Sequence, residues 1–123
     1  MARIMVVDDV EDAALVVRRI LEKKGHVVAA FTDEDEALRH AAAEEIDLAV
    51  LDVKLRKLEG IDVLAELKKL RPAVKVILLT GYPTPEGERR ARTLGVAAYC
   101  VKPIDKQELE EKVEEALGGV GVN

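Results

Sequence analysis

Five short, β-branched apolar runs recur along this chain, each separated from the next by a longer amphipathic stretch. The runs are RIMVV at 3–7, HVVAAF at 26–31, IDLAVL at 46–51, VKVILL at 74–79 and VAAYCV at 96–101. Their length and near-continuous apolarity predict strands buried on both faces. Residues 11–24, 34–44, 61–70, 86–94 and 106–117 read as the intervening helices, the last with Leu109, Val113 and Leu117 at i, i+4 and i+8. Asp33 with Glu36, and Asp105 with Glu108, have capping-box spacing. Gly25, Gly95 and Gly118 stand where helices should stop. Alternation repeated five times predicts right-handed βαβ units in a doubly wound α/β fold: a five-stranded parallel sheet with helices on both faces.

A chain of 123 residues fits one domain with a real core. Hydrophobic residues make up 49% of it, yet the longest apolar runs are only strand-length. The expectation is therefore a soluble, cytoplasmic protein with no membrane span and no signal peptide. A net charge of −5 argues against a surface that binds a phosphate backbone directly. The single cysteine, Cys100, lies inside an apolar run and reads as a small buried hydrophobe rather than a nucleophile. The expected domain spans residues 1–118, and 119–123 continue a glycine-rich tail.

In a parallel α/β sheet, ligands bind outside the carboxyl ends of the strands, so those ends are where function should be sought. The first strand runs straight into Asp8 and Asp9, the third into Asp52, the fourth into Thr80 and the fifth into Lys102, followed by Pro103. Adjacent carboxylates at the end of a buried strand repel each other unless a cation or hydrogen bonds offset the charge. Three carboxylates, a hydroxyl and an ammonium at one sheet edge suit a divalent cation beside a phosphoryl group, since magnesium prefers oxygen ligands. Taken singly, each residue has a plainer explanation: a loop acid, a strand-end hydroxyl, a solvated ammonium, or, for Tyr99, a core aromatic. Five such residues at the same edge of the right strands make coincidence a poor account.

These segments, VVDDV, LAVLDVKLRKLEGIDVL, VILLTGY and YCVKPID, resemble the receiver domains of two-component response regulators over residues 2 to about 117. The resemblance implies a flavodoxin-like strand order of 2-1-3-4-5. It makes Asp52 the phosphoacceptor, and Asp8 and Asp9 the acidic pair that organises Mg2+ together with Asp52 and the backbone carbonyl of Lys54. Thr80 and Lys102 would contact the phosphoryl group, and Lys102–Pro103 would be a cis peptide. The implied function is a phosphorylation-activated switch rather than an enzyme with a separate substrate. A histidine kinase or phosphotransfer protein would donate the phosphoryl group, and a downstream protein would read the result. Thr80 and Tyr99 would be the switch residues, changing the surface of the fourth helix, fifth strand and fifth helix. Lys54 and Tyr82, two residues after Asp52 and Thr80, would tune the phosphoaspartate lifetime. The family usually has proline, then glycine or asparagine, where this chain has Arg56 and Lys57.

Two further features bear on partners. The fourth helix carries Arg89, Arg90 and Arg92, while the fifth carries Glu108, Glu110, Glu111, Glu114 and Glu115. Charge runs are usually solvated faces, but opposite charges on neighbouring helices also suit a two-fold interface, and a phosphorylation-linked homodimer is expected from them. One rival reading is a phosphorylation-independent interaction module that retains the fold alone, and the full complement of acidic pair, Asp52, Thr80 and Lys102 argues against it. The other is a magnesium-dependent phosphatase using strand-end aspartates. Its usual second acid, two residues after the nucleophile, is replaced here by Lys54.

Overall fold

The computed structural model describes residues 1–54 and 59–118; Arg56, Lys57 and the expected tail at 119–123 lie outside the described residues. Strands and helices alternate strictly: β1 Arg3–Val7, α1 Glu11–Lys23, β2 Val27–Phe31, α2 Glu34–Ala43, β3 Leu48–Asp52, α3 Gly60–Leu70, β4 Lys75–Thr80, α4 Pro85–Thr93, β5 Ala98–Val101 and α5 Lys106–Ala116. The sheet is parallel throughout, in the order β2-β1-β3-β4-β5. This is the flavodoxin-like arrangement, with the chain reversing direction of travel between β1 and β3.

Alternating side chains explain the two layers of helices. Met5, Val7, Ala49, Leu51, Val76 and Leu78 join a cluster with Ala37, Leu64, Leu67 and Ala91, under α2, α3 and α4. Ile4, Val6, Leu48, Val50, Ile77 and Leu79 join the opposite cluster with Ala14, Leu21, Leu109 and Val113, under α1 and α5. The central strands are buried on both faces, whereas the edge strands β2 and β5 are only partly buried. Cys100 is buried in the second cluster, and burial followed by the charge of Glu108 pushes its thiol above the usual range. That suits an inert core thiol.

Strand and helix ends depart from expectation for local reasons. The Asp47 carboxylate accepts a hydrogen bond from the Arg3 N–H at 2.8 Å, and β3 starts two residues later than the apolar run, at Leu48. β5 starts at Ala98 because the Val96 N–H closes the end of α4 on the Ala91 carbonyl at 3.1 Å. Gly25, Gly95 and Gly118 take positive φ beyond the ends of α1, α4 and α5. Asp33 caps α2 by accepting from the Glu36 N–H, as its spacing predicts. At α5 the expected box does not form: Asp105 holds the cap position without a side-chain cap bond, and its backbone carbonyl accepts from the Leu109 N–H. A reciprocal box appears instead at α3, between Glu59 and Asp62. At α4, Thr84 accepts from the Gly87 N–H at 2.9 Å with Pro85 in the first helical turn.

Candidate functional site

The four buried polar or charged side chains among the described residues are Asp8, Glu34, Asp52 and Thr80. Three of them sit at the carboxyl ends of β1, β3 and β4. Hydrophobic strands carry them there, and the burial of their neighbours forces them into a shallow cleft where each needs a partner.

Lys102 supplies the balancing charge. Its Nζ lies 3.1 Å from Asp8 Oδ2 and 3.3 Å from Asp52 Oδ2. The Lys102–Pro103 bond is cis. Backbone donors take the remaining oxygens: the Val10 N–H bonds Asp8 Oδ1 at 2.9 Å, and the Lys54 N–H bonds Asp52 Oδ1 at 3.3 Å. Asp8, Asp9 and Asp52 each bring a carboxylate oxygen within 4.8 Å of the others. Such a set of hard oxygen donors fits a magnesium-sized cation.

The electrostatics follow from this crowding. Burial, and then the Asp8 charge, push the Asp52 carboxyl above its ordinary value, against the opposing pull of Lys102 and the Lys54 N–H. For Lys102, burial disfavours the ammonium, but the hydrogen bond and charge of Asp8 together with the charge of Asp52 outweigh it and raise its pKa. The lysine therefore stays cationic throughout the physiological range.

Glycine lets the backbone approach Asp52. Gly60 opens α3, donates its N–H to the Val53 carbonyl at 2.7 Å, and lies so close that a Cβ there would be driven into the Asp52 carbonyl oxygen. A poor helix former at a helix start is a signal visible in sequence, but the atom it makes room for is not.

Around the cleft, Thr80 is 1% exposed and its Oγ1 accepts from the Tyr82 N–H at 3.0 Å. Tyr82 is 76% exposed, and the Lys54 ammonium lies over its ring, 5.7 Å from the centroid. Lys54 and Tyr82 thus join the segment after β3 to the segment after β4. Tyr99, at the β5 edge, is half-buried and rests against the α2–α3–α4 cluster. No helix among the described residues is long and apolar enough to cross a membrane.

A profile of the response regulator receiver domain matches residues 4–114. The transcriptional regulatory protein ZraR of Escherichia coli (strain K12) is 32% identical over 114 residues, which make up 93% of this chain and 26% of that protein. The chain thus spans about a quarter of that relative's length. A response regulator receiver domain protein (CheY-like) from Methanospirillum hungatei superposes with a TM-score of 0.92 at 35% identity, covering 96% of this chain and 94% of the other. A response regulator protein from Burkholderia pseudomallei, whose structure contains a phosphorylated aspartic acid, a calcium ion and citrate, gives a TM-score of 0.82 at 31% identity, covering 96% and 75%. Since the profile runs from β1 into α5 and so takes in every strand that feeds the acidic cleft, this chain belongs to the response regulator receiver domain family of two-component signalling.

Proposed function

We propose that residues 1–118 form a phosphorylation-activated switch that accepts a phosphoryl group on Asp52 from the phosphohistidine of a partner kinase or phosphotransfer protein. The observation that carries this reading is Lys102 bridging Asp8 and Asp52 at 3.1 and 3.3 Å beside a third carboxylate. A carboxylate oxygen of Asp52 forms a bond to phosphorus as the phosphorus–nitrogen bond breaks, and the imidazole leaves and takes up a proton. Phosphoryl transfer of this kind asks a protein mainly for position and for positive charge around the moving oxygens. Lys102 provides the charge, and the Lys54 N–H holds Asp52 in place. Asp8, Asp9, Asp52 and the Lys54 carbonyl would hold Mg2+, which when bound supplies further positive charge to the phosphoryl oxygens. A phosphorylated aspartate and a cation in the Burkholderia relative support this assignment.

A phosphoaspartate is a labile acyl phosphate, so the mark is temporary. In the proposed response, Thr80 leaves its bond to the Tyr82 N–H and turns toward the phosphoryl group, and Tyr99 moves behind it. The reporting surface is then α4, β5 and α5. Arg89 and Arg90 are exposed on α4, and Arg92 pairs with Glu88 of its own helix at 2.8 Å, so the first two are the arginines offered to a partner. The acidic α5 is the matching surface for a second copy, formed on phosphorylation, or for a downstream protein.

Incubation with magnesium and acetyl phosphate, followed by intact mass, tests the reading. One phosphoryl group should add to the parent and none to Asp52→Asn; equal uptake in both would remove Asp52 from its role. Magnesium alone should raise the melting temperature by mass action, and Asp9→Ala should abolish most of that rise. An undiminished magnesium shift in Asp9→Ala would place the cation elsewhere.

A further inference from the structure

α4 contains a glycine where its own helix gains nothing from one. Gly87 occupies the third helical position, half-buried in a first turn in which alanine would hold the helix better. Its φ lies outside the positive range, so backbone conformation does not require it. Space does. A Cβ at this position would stand 2.9 Å from Thr84 Oγ1 and 3.2 Å from the Tyr99 hydroxyl. The first atom is the N-cap oxygen that receives the Gly87 N–H, and the second belongs to a different element, β5.

Two hydroxyls therefore converge on the place where a side chain is missing. We propose that Gly87 is the seat of Tyr99: a positioning residue whose lack of a side chain lets the tyrosine hydroxyl rest on the first turn of α4 and so ties the ring to the cap of that helix. The chain of contacts is short. The β4–α4 loop is closed at one end by Thr80, which accepts from the Tyr82 N–H, and at the other by Thr84, which accepts from the Gly87 N–H. Tyr99 sits on the second closure. A shift of Thr80 that pulls on this loop reaches Thr84, Gly87 and the tyrosine hydroxyl without passing through the core. α4 can follow because Ala91 is its one buried residue among those described. This deepens the proposed function, resting on its assignment of Thr80 and Tyr99 as the moving residues.

The chain has no tryptophan and two tyrosines, so Tyr82→Phe leaves Tyr99 as the sole tyrosine fluorophore. In that background, Gly87→Ala should make Tyr99 more accessible to acrylamide quenching, because the hydroxyl must give way to a Cβ that would stand 3.2 Å from it. Phosphorylation by acetyl phosphate should change the quenching in the Gly87 protein and change it less in Gly87→Ala, while phosphoryl uptake by mass stays equal. A melting cycle with Tyr99→Phe separates seating from a general helix effect. Without the hydroxyl, alanine at position 87 should be better tolerated, by roughly 2–4 °C relative to its effect beside Tyr99. Should Gly87→Ala alone fail to fold, recovery of folding in Gly87→Ala/Tyr99→Phe would support the seat equally well. Unchanged quenching, additive melting shifts or no recovery would overturn the proposal. Absence of phosphoryl uptake in the parent would instead count against the proposed function, leaving the quenching and melting of the unphosphorylated protein to decide the role of Gly87.

Discussion

Helices α3 and α4 follow neighbouring strands on the same face of the sheet, yet they are held very differently. α3 buries Gly60, Ile61, Val63, Leu64 and Leu67 and starts from a reciprocal Glu59–Asp62 box. α4 buries Ala91, begins at a threonine cap and a proline, and carries mainly charged residues on the rest of its surface. The anchored helix presses its first residue against the backbone of Asp52, and the lightly held one carries the seat of Tyr99. The element packed against the proposed phosphoacceptor is thus built into the core, and the element proposed to report its state is drawn from the less stable end of the fold.

Cutting each helix from its cluster challenges this contrast most directly. Leu64→Ala should cost about 2–5 kcal/mol, from lost burial and the cavity left behind. Ala91→Gly in α4 removes one methyl and some helix propensity and should cost about 1 kcal/mol. Denaturant titration measures both, and similar losses would mean that α4 is as firmly anchored as α3.

A smaller effect is expected where the two sides meet. The Lys54 ammonium rests on the exposed Tyr82 ring, a contact worth roughly 0.5–1 kcal/mol at such a site. A phosphoryl group on Asp52 is a stronger partner and should draw the ammonium inward by a charge-assisted hydrogen bond, while the ring crowds the approach of water. The transition state is loose and spreads charge over oxygens that already carry it, so holding and blocking should outweigh assistance. Lys54→Asn and Tyr82→Ala should each speed phosphoaspartate decay about tenfold, equivalent to a barrier lowered by roughly 1.4 kcal/mol. Decay measured after donor removal at fixed magnesium checks this; slower decay in both variants would make these side chains helpers of hydrolysis.

The smallest effect should come from neutralising the crowded acid. Burial and Asp8 raise the Asp52 pKa, so the folded state holds that proton to higher pH than the unfolded chain does. Stability is therefore lost as pH rises from the ordinary carboxylate value through the raised one, and the loss persists above it. Asp52→Asn has no such proton, and Lys102 keeps Asp8 as its partner at 3.1 Å. In chelator, the variant should melt at or slightly above the parent temperature at neutral pH, with the difference shrinking toward acid. A clearly lower neutral midpoint would mean that the Lys102–Asp52 contact outweighs the repulsion.

Much of the site is legible in the sequence because its residues follow directly from strand ends. Once five apolar runs define a parallel sheet, Asp8, Asp9, Asp52, Thr80 and Lys102 must gather at one edge, whatever the side chains between them do. The Asp33 cap and the glycine helix stops are legible for the same local reason. The Asp105 box does not form because spacing shows that a carboxylate can reach a backbone N–H, not that it does so. Glu59 sends no clear signal as a cap because glutamate seldom serves as one.

The order of strands and helices, the face each apolar residue seeks and the chemistry collected at the carboxyl ends all depend on periodicity and chain direction, and these are properties of the linear chain. Which groups meet across long separations is settled only when the chain is packed. Arg71 donates to the carbonyls of Ala41 and Ala42 at the end of α2, at 2.9 and 3.4 Å. Lys54 lies on Tyr82, Gly60 on the Asp52 carbonyl, and Gly87 leaves its missing side chain to Tyr99. Each of these contacts depends on a helix packing angle or a loop path of a few ångströms, and such distances are set by the close fit of the whole core rather than by any local run of residues.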